Sequence, residues 1–150
     1  MYLRMTVINS VKGLGEYCAT KIARTIVDTN ILSYGTEGSP EKRTLIQELC
    51  AHLDTYISDT VYWEFLRNVN LERFRQRRMQ IASWKQGDLL KEQGIAREDE
   101  AVRKMHCMLF LLLLQLNTDD PKRVLRLLGP DLWIAAVAVS QKHDYVLTTN

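Results

Sequence analysis

Three carboxylates are the side chains of this chain best placed to do chemistry. Asp28 follows the β-branched run Thr25-Ile26-Val27 and precedes Thr29-Asn30-Ile31-Leu32. Glu64 lies inside Ser58-Asp59-Thr60-Val61-Tyr62-Trp63-Glu64-Phe65-Leu66, and Asp131 opens Pro130-Asp131-Leu132-Trp133-Ile134-Ala135-Ala136. Aspartate is poor strand material, so an acid that closes a short strand needs a reason other than sheet propensity. In an open α/β sheet the carboxyl end of a strand is where ligands bind, and a carboxylate there suits a hard divalent cation. The same Asp28 also suits a helix N-cap that accepts backbone N–H bonds from the turn after it. Capping or a buried ion pair is equally open for the other two acids.

Other chemistries find less support. His52, His106 and His143 have no His or Cys partner at zinc-ligand spacing. Cys18, Cys50 and Cys107 are an odd number without paired spacing, which points to a reducing compartment and away from a zinc knuckle. There is no nucleophile elbow, and no Gly-rich phosphate loop follows a strand. The net charge of +2 is too small to demand a nucleic-acid partner by itself. The longest apolar stretch, Met108 to Leu114, is soon ended by Gln115 and Asn117 and falls short of a membrane span. With no apolar signal region near the start, a cytoplasmic protein is expected.

The acids are far apart along the chain and can meet only through folding, and alternating strands and helices are the simplest way to bring them together. At 150 residues one domain is expected. Residues 1–24 show no sustained period and are read as an N-terminal extension, with the domain at 25–150. A strand at about Arg24 to Asp28 leads to a helix or turn near Asn30 to Tyr34, and Gly35 to Pro40 reads as a loop. Leu45, Ile46, Leu49 and Leu53 place a helix over Glu41 to Leu53. Thr55 to Ser58 reads as a strand, and Ser58, Asp59 or Thr60 caps a helix with Glu64 near its N-terminal end, where the ionised form is favoured. That helix is expected to continue through Arg67, Arg73, Arg75, Arg77 and Arg78 to Lys85.

Residues 87–100 are polar and acidic, a solvated face. Met105 to Leu116 is apolar nearly all round, so its period separates neither strand nor buried helix, and its length favours helix. A short helix closes over Val124 to Leu128, Gly129-Pro130 starts another, and Tyr145 to Thr148 is a last strand. Trp63 and Trp133 are expected in the core. Trp63, Phe74 and Trp84 offer base-stacking surfaces, although aromatics at helical spacing are more often core or partner-binding residues. Arg73, Arg75, Arg77 and Arg78 suit either RNA phosphates or a solvated helix face.

Four stretches, taken in order, resemble a PIN-domain ribonuclease, and more narrowly the VapC-type toxin of a type II toxin–antitoxin pair. They are Val27 to Leu32, Ser58 to Leu66, Pro130 to Ala136, and Val146-Leu147-Thr148-Thr149-Asn150. The resemblance implies an α/β/α sandwich with a central parallel sheet flanked by helices. It also implies a metal-dependent endoribonuclease in which Asp28, Glu64 and Asp131 are catalytic and bind Mg²⁺ or Mn²⁺. Asn30, Thr148 and Asn150 would form a supporting polar rim. RNA, a cognate antitoxin and a second copy in a homodimer are the implied partners, with the Leu66 to Lys85 helix as one surface for an acidic amphipathic peptide. Asn150 either occupies or immediately precedes the family's usual fourth polar or acidic position, so a domain short at its C-terminal end is expected. The alternative is a catalytically impaired PIN-like module that binds RNA or protein.

Overall fold

A computed structural model describes residues 23–93, 99–116 and 120–149. Four short strands, β1 (Arg24–Val27), β2 (Asp54–Ile57), β3 (Lys91–Glu92) and β4 (Tyr145–Leu147), form one sheet in the order β3-β2-β1-β4. All three pairings are parallel, with Ile26 beside Tyr56 on one side and Val146 on the other. The connections are helical: α1 (Thr29–Glu37), α2 (Pro40–His52), α3 (Asp59–Leu66), α4 (Leu71–Gln86), α5 (Glu100–Leu116) and α6 (Pro121–Ser140). This is the expected α/β/α arrangement of helices around a central parallel sheet. A parallel sheet covered on both faces buries its central strand whichever way a side chain points, and Thr25, Ile26 and Val27 are all buried.

The strand order creates the functional geography. After β1 the chain moves outward through β2 to β3, then returns to place β4 on the other side of β1. The β1–β4 junction is therefore the switch point: the chain leaves β1 toward β2 while β4 lies on the other side, and in open α/β sheets ligands bind outside the carboxyl ends of the strands at such a junction. At the opposite end, the Asp144 N–H donates to the Arg24 carbonyl at 2.7 Å, and the Arg24 N–H donates to an Asp144 carboxylate oxygen at 3.0 Å. These bonds set the alignment of β4 on β1.

Several expected boundaries move, each for a local reason. Gly35, Thr36 and Glu37 belong to α1 rather than to a loop, because packing outweighs glycine's low helix propensity. A Cβ on Gly35 would lie 2.2 Å from the Trp84 ring and 2.8 Å from Ile46, so the missing side chain lets α1 approach both. Only Gly38 and Ser39 separate α1 from α2, where Ser39 is the N-cap and Pro40 takes the first turn. The arginine-rich segment is not a continuation of α3. Asn68 sits in the left-handed region at φ 58, and Asn70 starts α4 by accepting the Arg73 N–H at 2.9 Å.

Strand β3 falls within the segment read as a solvated polar face, and its two charged residues are indeed exposed. Helix α6 runs through Gly129-Pro130 without the expected restart. Helix α5 is a helix as its length suggests, but not a buried one. It packs chiefly along α6, so one face is covered and Met108, Leu111, Leu112 and Leu116 remain exposed. Trp133 is half-buried, stacked on His106 of α5 at 3.8 Å between centroids. Trp63, expected in the core, is 62% exposed. Among the described residues no helix is long and apolar enough to cross a membrane.

Candidate active site

The switch point holds Asp28. Its backbone N–H donates to the Leu147 carbonyl at 3.0 Å, which extends the β1–β4 pairing to the last residue before α1. The side chain caps α1, with Oδ1 accepting the Thr29 N–H at 2.6 Å. Oδ2 accepts the Thr148 hydroxyl at 2.9 Å and the Asn30 amide at 3.4 Å. Capping and presentation at the crevice are thus the same geometry rather than rival roles. Only 7% of Asp28 is exposed, so its orientation is set by these donors rather than by solvent.

Glu64 arrives from α3, which begins at the carboxyl end of β2 with Ser58 as its cap. It lies in the second half of that eight-residue helix, not near its N-terminal end, so the helix dipole does not favour its charge. What orients it is Thr29. The Thr29 hydroxyl donates to Glu64 Oε2 at 2.9 Å while the Thr29 backbone N–H holds Asp28, so one residue links the two acids. Thr29 was absent from the expected site. The available signal was a hydroxyl residue directly after the acid in Asp28-Thr29-Asn30. The Arg67 guanidinium stands 3.8 Å from Glu64 Oε1, a loose contact at the cleft edge.

Asp131 enters from α6 and is exposed, above the buried Leu132, Ile134, Ala136, Val137 and Ala138 that seat the helix in the core. Partial burial raises its pKa from the usual aspartate value, and the negative charges of Asp28 and Glu64 raise it further. The three acids that sequence separates are therefore brought into one electrostatic neighbourhood. They do not form a closed cage: among the described residues, no group of three His, Cys, Asp or Glu side chains has the spacing to hold a metal. The donor set is nevertheless all oxygen and carries like charge that nothing in it neutralises. Such a set fits a hard cation that retains part of its water shell.

The remaining residues of interest lie elsewhere. Glu37, at the other end of α1, receives Arg73 at 2.6 and 3.0 Å and Arg77 at 2.7 and 2.8 Å. Hydrogen bonds from Arg77 and then Arg73 hold its pKa down at about 2. Arg77 is buried and also donates to the Phe65 carbonyl, so it ties α1, α3 and α4 together. Of the four arginines read as suiting either RNA phosphates or a solvated helix face, Arg73 and Arg77 are thus engaged with Glu37, while Arg75 and Arg78 are exposed. His143 is at the amino end of the strands against Gln93, its pKa pulled down to about 4, chiefly by burial. Burial pushes the Cys50 thiol up to about 11, which removes it as a nucleophile at neutral pH. Asn150 and Cys18 lie outside the described residues.

Comparison with known proteins yields a family model, described as PIN domain, that matches residues 25–150. No curated protein and no solved structure gives a match.

Proposed function

The chain belongs to the PIN domain family, whose fold is in general a nuclease fold, and from that premise we propose that it is a metal-dependent endoribonuclease. The observation that carries this reading is the mutual crowding of Asp28, Glu64 and Asp131, whose like charges help to raise the pKa of Asp131. Like charges held together in a crevice oppose folding unless they serve a ligand of opposite sign.

In this reading Asp28, Glu64 and Asp131 hold Mg²⁺ or Mn²⁺ through their carboxylate oxygens. When bound, the cation supplies Lewis-acid polarisation of a phosphate oxygen and a water of lowered pKa. The protein's own part is positioning. Thr29, Asn30 and Thr148 fix the two oxygens of Asp28, and the Thr29 hydroxyl fixes one oxygen of Glu64. Locked donors of this kind remove reorganisation that loose carboxylates would undergo. Asp131 is the most exposed of the three, which suits it to meet the substrate side of the cleft. Arg75 and Arg78 are the proposed phosphate contacts among the basic residues.

The test is cleavage of a panel of small RNAs with Mg²⁺ or Mn²⁺. The parent protein is expected to give products, and chelator or Asp28→Asn to stop them. Cutting that survives Asp28→Asn rejects the assigned site. The toxin assignment rests on the order of the four motifs, and its partners would be a cognate antitoxin and a second copy of the chain. It predicts a neighbouring reading frame for a small DNA-binding protein that binds this chain and stops the cutting. A second reading, a PIN-like module that binds RNA or protein without cutting, draws on the exposure of Asp131 and the open spacing of the acids. Bound but intact RNA in every parent reaction selects it.

A further inference from the structure

Strand β4 is held in register by something other than its own side chains. Tyr145, Val146 and Leu147 are all half-buried, so no alternation of buried and exposed residues tells β4 which residue of β1 to face. Its ladder to β1 is short as well, covering three residue pairs among the described residues. The turn before the strand supplies what the strand lacks. Asp144 answers both backbone groups of Arg24, with its own N–H on the Arg24 carbonyl at 2.7 Å and its carboxylate on the Arg24 N–H at 3.0 Å. The Arg24 guanidinium donates to the Gln141 carbonyl at 2.9 Å and lies over the Tyr56 ring, 4.8 Å from its centroid. His143 packs edge-on against the same ring. Lys142 takes the left-handed conformation at φ 56, so the step from α6 into β4 is a tight turn gripped against the start of β1.

The register matters at the far end of the strand. Thr148 lies about 13 Å from Asp144 at the rise of a strand, and its hydroxyl donates to Asp28 Oδ2 at 2.9 Å. A slip of one residue would move Thr148 by about 3.3 Å and turn its side chain to the other face of the sheet, which takes that hydroxyl off the acid. The Asp28 N–H would lose the Leu147 carbonyl in the same step. We propose that Asp144 is a positioning residue for the acidic crevice: it fixes β4 on β1 from the amino end of the sheet and thereby seats the Thr148 hydroxyl on Asp28. The route runs from Asp144 through Arg24 and β4 to Thr148. What this seating is worth to catalysis rests on the nuclease reading above, whereas the seating itself is measurable without metal or RNA.

Amide hydrogen exchange followed by NMR in the metal-free protein reads the seating. In Asp144→Ala the Asp28 N–H, which is bonded to Leu147, is expected to exchange at least about tenfold faster. The Gln93 N–H on the Ile57 carbonyl and the Tyr62 N–H on the Ser58 carbonyl should keep their parent rates within about threefold, because they lie on the other side of the sheet from β4. Asp144→Asn retains an oxygen acceptor for the Arg24 N–H, so its Asp28 N–H should also stay within about threefold of the parent. Mn²⁺ affinity reads the consequence for the crevice. Thr148→Val, which removes the hydroxyl, is expected to weaken it by about tenfold. Asp144→Ala should weaken it by between about threefold and tenfold, and the double variant by no more than Thr148→Val alone, since both changes remove the same bond.

Unchanged exchange at Asp28 in Asp144→Ala overturns the proposal. Equal acceleration at Asp28, Gln93 and Tyr62 does so too, and makes Asp144 a general stabiliser of the fold. Exchange in Asp144→Asn as fast as in Asp144→Ala removes the Arg24 contact as the link and overturns it as well. So do an unchanged Mn²⁺ affinity in Asp144→Ala and losses that add in the double variant, which would mean that Asp144 does not act through Thr148. A parent that binds no Mn²⁺ and cuts no RNA, with exchange at Asp28 still accelerated locally by Asp144→Ala, retains the positioning while the nuclease reading falls.

Discussion

The two ends of α1 carry carboxylates with opposite fates. At its C-terminal end Glu37 is held by two guanidinium groups, and its pKa falls to about 2. At its N-terminal end Asp28 faces Glu64 and Asp131, and there the pKa of Asp131 rises. The residue types are similar, and the difference is the sign of the neighbours. A carboxylate whose charge is matched by the protein contributes to holding helices together, whereas like charges gathered together repel one another and oppose the fold. An acid's proximity to a strand or helix end says little, and its partner says which kind it is.

The strongest way to break this contrast is to neutralise one acid of the crowded end. Asp131→Asn is expected to lower RNA cleavage by about a thousandfold, close to 4 kcal/mol of transition-state stabilisation. Its thermal midpoint should stay level or rise, because a like charge has gone. A fall in stability as large as the fall in activity would mean that Asp131 is structural, and the contrast would fail.

The paired end should answer in the opposite manner. Arg77→Met strips Glu37 of one partner and the Phe65 carbonyl of its donor, with a cost of about 3 kcal/mol in denaturant unfolding. A loss below about 1 kcal/mol would show the pairing to be idle. Acid sharpens the same point. Since the folded-state pKa of Glu37 is depressed, its contribution is complete above the ordinary carboxylate value of 4.5 and fades as pH falls toward about 2. Asp131 runs the other way: with its pKa raised, its contribution is complete below 3.8 and disappears as pH climbs through the raised value. Unfolding curves of Glu37→Gln and Asp131→Asn, compared with the parent from acid to neutral pH, should therefore diverge from it in opposite directions.

The smallest expected effect belongs to the residue that links the two acids at the crowded end. Thr29→Val keeps the shape and removes the hydroxyl on Glu64, so metal affinity and cleavage should drop by about 10- to 100-fold. An effect confined to stability would make Thr29 a helix residue and nothing more.

Much of this was legible in the sequence. The β-branched run ending at Asp28 and the alternation of strands with helices give the sheet and its parallel sense, and the four ordered motifs give the family. What failed to show was mostly tertiary. Gly35 reads as a loop residue until Trp84 and Ile46 are seen against it. The arginines read as one helical face until Glu37, distant in sequence, claims Arg73 and Arg77. Helix α5 reads as buried because its composition is apolar, but exposure depends on how many neighbours a helix has, which no local pattern encodes. Thr29 escaped for a different reason: a hydroxyl is common beside a capping acid, and its bond to Glu64 exists only once α1 and α3 are adjacent.

The hydrogen bonds from Thr148 and to Leu147 close the rim around Asp28 with a strand that is made long after Asp28 itself. During synthesis β1 and β2 can pair and α3 can present Glu64 while Asp131 and β4 are still unmade. A nascent chain stopped before residue 148 therefore lacks part of the crevice, so the timing of translation defers its assembly until nearly all of the matched region has left the ribosome.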